Sequence, residues 1–180
     1  MRKGILEKVR EARVAALRLA NMPAEVKNNA LRAAASAILN KKEEILGANE
    51  KDVEIANKLM NRGKISRALV DRLKLDEAKI ETIVKMIEDV AKLEDPVGRT
   101  LYSIELDEGL ELYRVSTPIG MIGAIFESRP DVLPQISSLC LKSGNAVILK
   151  GGREARNSNE VIYGVIREAT EGAGIPRGWV

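Results

Sequence analysis

Two short segments hold residue types that can grip a phosphate or a nucleotide: Phe126-Glu127-Ser128-Arg129-Pro130 and Lys150-Gly151-Gly152-Arg153. Each follows an apolar run, Ile119 to Ile125 and Ala146 to Leu149. A lysine at the end of a strand and just ahead of a helix aims its ammonium at a phosphate or at ribose hydroxyls, and glycines let backbone amides approach a ligand closely. The same residues also suit a solvated lysine and a tight turn. In the first segment Pro130 pushes Arg129 into extended geometry and ends the strand. Ser128 and Arg129 should therefore stand on an exposed turn. Arg129 can fork onto a carboxylate or a phosphate, or pair at the surface with Glu127 or Asp131.

Absent residues narrow the chemistry further. The 180 residues include no histidine and one cysteine, so neither a Ser-His-Asp nor a Cys-His nucleophile can be assembled, and no His-ligated metal site exists. Cys140 lies among Ile136, Leu139 and Leu141 and reads as a small buried hydrophobe. No G-x-G-x-x-G follows a strand, and no glycine-rich turn precedes Lys142-Ser143, so neither standard phosphate-binding motif is present. Acid pairs have no spacing that compels a glycosidase or a metal reading, and no metal site is expected. Acid runs such as Glu43-Glu44 and Glu50-Lys51-Asp52 read as solvated helix faces. Lysine and arginine total 29 against 26 acids, a net charge of 29 − 26 = +3. Because the signs are interleaved and aromatics are scarce, no nucleic-acid partner is expected. A lone cysteine, with no secretory leader and no spanning apolar run, points to a reducing cytoplasm and no membrane partner.

The elements that must position these segments follow from the hydrophobic pattern. From Met1 to Asp95 the periodicity is helical. A first helix carries the stripe Leu6, Val9, Ala12, Ala16 and Leu19; Pro23 opens a second through Leu39; a third covers roughly residues 42 to 60 and stops at Asn61-Arg62-Gly63. Ser66 caps a short helix to Leu73, and Asp76 caps a fifth whose Ile80, Ile83, Val84, Ile87, Val90 and Ala91 share one face. Asp95-Pro96-Val97-Gly98 breaks the pattern. Period-two alternation then predicts a hairpin turning at Asp107-Glu108-Gly109, too short to be stable alone and expected to pair with another sheet in this chain or in a partner. Tyr102, Tyr113 and Trp179 suit packing or a subunit contact. After residue 118, strand, helix over residues 131 to 142, strand, and helix over residues 154 to 170 form a right-handed βαβ unit. Such sheets bind ligands beyond the carboxyl ends of their strands, where the two segments lie. A third strand is expected at Trp179-Val180, and the chain reads as part of a longer protein.

From Pro118-Ile119-Gly120 through Glu127-Ser128-Arg129-Pro130, and again from Ser143-Gly144-Asn145-Ala146-Val147 to Lys150-Gly151-Gly152, the sequence resembles the aldehyde dehydrogenase superfamily. Ordinary members end the first segment in Pro-Trp-Asn-x-Pro and write the second as Gly-Asn-x-Val-x-x-Lys-Pro. The Glu-Ser-Arg-Pro and Lys-Gly-Gly variants resemble the reductase branch that acts on gamma-glutamyl phosphate. The resemblance covers essentially the whole chain. It implies an α/β fold with N-terminal helices (1–98) belonging to a cofactor-binding domain, oligomerisation strands (99–117), and the start of a Rossmann-like parallel sheet (118–180). It further implies a homo-oligomer that reduces L-glutamyl 5-phosphate to L-glutamate 5-semialdehyde and phosphate with NADPH, in proline biosynthesis.

In that family a downstream cysteine accepts the acyl group before hydride arrives from the cofactor. That cysteine is not among these residues, so this chain alone is expected to be inactive. By resemblance, Lys150 matches the lysine that contacts the adenosine ribose, Gly152 and Arg153 continue the same turn, and Ile125, Phe126 and Glu127 line the strand end beside the cofactor. Arg153 replaces an acid that holds the ribose hydroxyls, which favours NADPH; the acid Glu154 follows it. Ser128 takes the place of the asparagine that donates to the oxyanion, and Arg129 becomes a contact for the acyl phosphate or the glutamate carboxylate. The alternatives are a conventional aldehyde dehydrogenase and a non-catalytic nucleotide-binding or oligomerisation module.

Overall fold

The computed structural model describes residues 2–180, with side-chain surroundings from residue 4 onward. Five helices come first: α1 (Arg2–Leu19), α2 (Ala24–Asn40), α3 (Lys42–Asn61), α4 (Arg67–Leu73) and α5 (Glu77–Lys92). Their ends follow from local chemistry. The Ser66 hydroxyl accepts from Leu69 N–H at 3.3 Å and the Asp76 carboxylate from Lys79 N–H at 2.8 Å, each satisfying an orphan donor of a first turn. Gly63, at φ +68°, lets Lys64 N–H reach back to the Leu59 carbonyl and closes α3. The face of α5 is as the spacing predicts, with Ile80, Ile83, Ile87, Val90 and Ala91 buried. That of α1 is not. Leu6 is 57% exposed, and the packed face runs through Ala12, Ala15, Ala16 and Leu19, because only the second half of α1 meets the sheet.

After Gly98 come β1 (Thr100–Asp107) and β2 (Leu110–Val115), antiparallel, with Ser103 opposite Tyr113 and Ile104 opposite Leu112. Gly109 turns the hairpin at φ +74°. Every residue of both strands is exposed. Among the described residues no third strand joins them.

The remainder is β3 (Met121–Ile125), α6 (Val132–Lys142), β4 (Ala146–Lys150), a 3-10 turn (Arg153–Ala155) and α7 (Arg156–Gly172). β3 and β4 run parallel, with Ile125 beside Lys150. The last helix begins at Arg156, not at Glu154 as expected from the sequence. The segment expected to form a third strand is irregular, yet Val147 N–H donates to the Trp179 carbonyl at 2.7 Å, so the chain already lies along the free edge of β4. Trp179 is buried, and its indole N–H donates to Thr170 Oγ1 at 2.9 Å.

One core unites these pieces. Leu19, Leu31, Ile38, Ile87, Leu141, Val147 and Ile162 belong to a single cluster, and α2 packs on both α5 and α7. Each such side chain contributes about 1.5–3 kcal/mol on burial, so the helical half covers the βαβ unit and the two form one body. Two buried lysines tie its layers. Lys27 is 0% exposed, with Nζ 2.7 Å from Asp95 Oδ2 at an angle outside hydrogen-bond geometry. Lys142 donates to Asn28 Oδ1 at 2.7 Å and to the Ala91 carbonyl at 3.0 Å. Burial holds the Lys142 ammonium below its usual range, opposed by Asp95 and aided by Lys27 and Arg32. No helix among the described residues is long and apolar enough to cross a membrane.

Candidate functional site

The ends of β3 and β4 are held together by the Phe126 N–H, which donates to the Lys150 carbonyl at 3.1 Å. Strand alternation then separates the residues that follow. Ile125 and Glu127 face outward, while Phe126 and Ser128 turn in. Phe126 lies under the second turn: a Cβ on Gly151 would sit 3.3 Å from Phe126 Cζ and 2.3 Å from Asn159 Nδ2. A side chain there would have to push the Asn159 amide aside.

The second turn closes on the first. Glu154 Oε1 accepts from Ser128 N–H at 2.7 Å and from Ser128 Oγ at 2.8 Å. This carboxylate fills the space a side chain at Gly152 would need, since a Cβ there would lie 2.1 Å from Oε1. Ser128 adopts φ +52°, the left-handed region that costs a non-glycine residue about 1–2 kcal/mol, and two bonds to a charged acceptor offset that cost. Burial pushes the Glu154 carboxyl up, but its own backbone N–H, the two Ser128 donors and the Lys150 ammonium together hold it below the usual carboxylate range. The turning back of Glu154 also explains the late start of α7.

Ser128 is therefore not on an exposed turn. It is 7% exposed and both its donors are spent on Glu154. Arg129 does stand at the surface, 54% exposed, and its guanidinium pairs with Asp131 at 2.9 Å, one of the two roles foreseen for it. Lys150 and Arg153 are exposed, and Gly152 is partly covered by Glu154. The two cations thus share one exposed turn whose adjacent acid is held by Ser128.

The anchor of this turn was missed in the sequence. Asp52 of α3 is 2% exposed, and its carboxylate accepts four bonds at the start of α7: from Asn157 N–H (3.1 Å) and Nδ2 (2.7 Å), and from Ser158 N–H (2.8 Å) and Oγ (2.7 Å). It serves as a cap borrowed from another helix, where a negative charge also meets the positive end of the α7 dipole. Asn49, one turn earlier, donates to the Leu73 carbonyl and to Ser158 Oγ and accepts from Leu75 N–H. Asp52 belongs to no solvated face. Its spacing from the buried Ile45, Ala48, Asn49 and Ala56 was the available signal.

Among the described residues this arrangement offers exposed cations but no nucleophile. The buried Cys140 has its thiol pushed up to about 11 by burial, so no thiolate forms there near neutrality.

A parallel β-α-β layer with paired strand-end turns, a helical cover and a projecting hairpin defines the aldehyde dehydrogenase fold. The chain superposes on a probable aldehyde dehydrogenase from Listeria monocytogenes with a TM-score of 0.72 at 18% identity, over 99% of this chain and 36% of the other. Within that class, the chain corresponds in sequence and fold to part of the gamma-glutamyl phosphate reductases. It is 55% identical to the reductase of Methanococcoides burtonii over 179 residues, 99% of this chain. It also matches the crystal structure of the Thermotoga maritima reductase with a TM-score of 0.90 at 42% identity, over 97% of this chain and 41% of that one. The chain spans about 40% of the length of the curated relatives it matches. No profile of a known protein family matches it.

Proposed function

We propose that the complete polypeptide carrying this chain reduces L-glutamyl 5-phosphate to L-glutamate 5-semialdehyde and phosphate with NADPH, a step of proline biosynthesis in the cytoplasm. The 55% identity to a named reductase along 99% of the chain supports the reaction. The observation that carries the cofactor half is the sequestration of Glu154 by Ser128. In conventional members an acid in this turn holds two ribose hydroxyls; here the acid of the turn, Glu154, is engaged by both Ser128 donors, and Lys150 and Arg153 remain as exposed cations. Two exposed cations beside a carboxylate already committed to Ser128 fit a 2′-phosphate, so the residues present suit NADPH.

Lys150 and Arg153 would hold that phosphate, Gly152 would let the backbone approach the ribose, and Ile125, Phe126 and Glu127 would form the neighbouring strand end. When bound, the nicotinamide supplies the hydride. Ser128 holds Glu154 and fixes the distance between the two turns; with both donors engaged it is not the oxyanion donor. Arg129 contacts the substrate. The acyl-accepting thiol belongs to the part of the polypeptide outside these 180 residues, because Cys140 is buried and protonated. Residues 1–98 and 118–180 form one cofactor-binding unit. Residues 99–117 add strands to a second copy, which would cover the exposed Leu101, Ile104, Leu110 and Leu112.

The test is the phosphate requirement of the complete enzyme. With L-glutamate 5-semialdehyde and NADP, reduction of the cofactor should depend strictly on inorganic phosphate. Oxidation without phosphate identifies a conventional aldehyde dehydrogenase, and absence of any turnover or NADP binding identifies a non-catalytic module.

A further inference from the structure

Beside the first turn, α4, α5 and the start of α6 enclose a cavity of about 360 Å³. Its wall carries three cations, Arg72, Lys79 and Arg129, with one carboxylate, Asp131, and an apolar floor that includes Ile83 and Met86. The cations come from three separate parts of the fold: Arg72 from the last turn of α4, Lys79 from the first turn of α5, and Arg129 from the turn after β3. Asp71, next to Arg72, is already engaged by Arg67 and Lys74. Arg72 has no carboxylate partner among the described residues. Asp131 receives Arg129 and Gln135 on Oδ2 alone, which leaves Oδ1 without a protein donor among the described residues.

We propose that this cavity is the recognition site for a zwitterionic α-amino-carboxylate head group. Arg72 and Arg129 take the carboxylate, joined by Lys79 through the ammonium protons not given to the Lys74 carbonyl, and Asp131 Oδ1 takes the ammonium. A phosphate ion would be served by cations alone and would be repelled by the carboxylate in the same wall; an α-amino acid needs both signs a few ångströms apart. The apolar floor suits the methylene chain that joins the head group to the reacting end. The assignment rests on the reading of the chain as part of a reductase acting on gamma-glutamyl phosphate. It makes Arg129 a reader of the glutamate carboxylate and not of the acyl phosphate.

The test uses the complete enzyme and the variants Arg72→Gln and Lys79→Gln, both at exposed positions, with circular dichroism to verify folding. In the phosphate-dependent oxidation of L-glutamate 5-semialdehyde, each variant should raise KM for the semialdehyde by about 10–100-fold, the loss of one charge-assisted bond, with KM for NADP and for phosphate within about twofold of the parent. Butanal, which lacks the head group, should be oxidised equally by parent and variants. L-glutamate should bind more tightly than glutarate in a calorimetric titration of the parent, and this preference should vanish in Arg72→Gln. A KM change confined to phosphate, equal losses with butanal, or no change at all would overturn the assignment. If the parent lacks phosphate-dependent activity yet binds L-glutamate through Arg72, the reductase reading fails and the head-group site stands. If the activity is present and indifferent to Arg72 and Lys79, the site fails alone.

Discussion

Replacing Asp52 by alanine should loosen the turn that carries Lys150 and Arg153 without touching either residue. The carboxylate accepts four hydrogen bonds at the start of α7, two from backbone N–H groups and two from side chains, in surroundings where Ser158 is fully buried. Loss of an N-cap alone costs about 1 kcal/mol, and each buried donor left without an acceptor costs about 1–3 kcal/mol. Asn157 is only half-buried and can turn to water, so the Ser158 amide and hydroxyl dominate. Local opening of the first turn of α7 should become easier by about 3 kcal/mol, or roughly a hundredfold in its equilibrium constant. Hydrogen exchange read on peptides spanning residues 153–160 measures this directly. The amides there should exchange roughly a hundredfold faster in Asp52→Ala, while those of β1 and β2 keep their rates. NADPH affinity should fall in parallel, because the 3-10 turn lies directly against the loosened helix end. Unchanged protection at 157 and 158 would refute the view that α3 anchors the turn.

Three further expectations follow from the same geometry. Gly152→Ala places a methyl where Glu154 Oε1 now lies and should displace that carboxylate from Ser128, weakening NADPH binding and costing about 1–3 kcal/mol for the buried Ser128 donors left without an acceptor; crystallography of the variant would show whether Glu154 moves. Lys27→Ala leaves Asp95 without its buried counter-ion and should destabilise the fold by about 3–5 kcal/mol, read from the urea midpoint, whereas Lys92→Ala, on an exposed pair with Asp89, should cost under about 1 kcal/mol. Cys140, raised from 9.0 to about 11 in the folded state, should resist dithionitrobenzoate at pH 8 until denaturant is added. Since the folded thiol binds its proton more tightly than the unfolded one, its contribution is whole below pH 9 and is lost as pH rises towards 11.

Much of the framework is legible because it depends on neighbours along the chain. Ser66 and Asp76 cap helices by bonding three residues on, and the stripe of α5 needs only its own period. The hairpin and the βαβ unit follow in the same way from alternation and glycine. What escaped the sequence depends on residues far apart. Asp52 looked like surface charge beside Glu50 and Lys51, and its burial is set by α7, more than a hundred residues later. The direction of the Glu154 carboxylate is set by Ser128, 26 positions earlier. Ser128 itself was assigned to an exposed turn, since nothing local predicts a left-handed serine facing inward. Leu6 has the right spacing for a core face, but no element reaches the first turns of α1 to cover it.

The central claim, that an exposed cationic turn whose acid is committed to Ser128 selects NADPH, is tested most directly by coenzyme titration of the complete enzyme. Fluorescence titration with NADPH and NADH should show NADPH bound at least about tenfold more tightly by the parent, the worth of about 1.4 kcal/mol from added charge contacts. Lys150→Ala and Arg153→Glu should each weaken NADPH binding and narrow that preference. Equal affinity of the parent for both coenzymes, or a preference untouched by Arg153→Glu, would contradict the account.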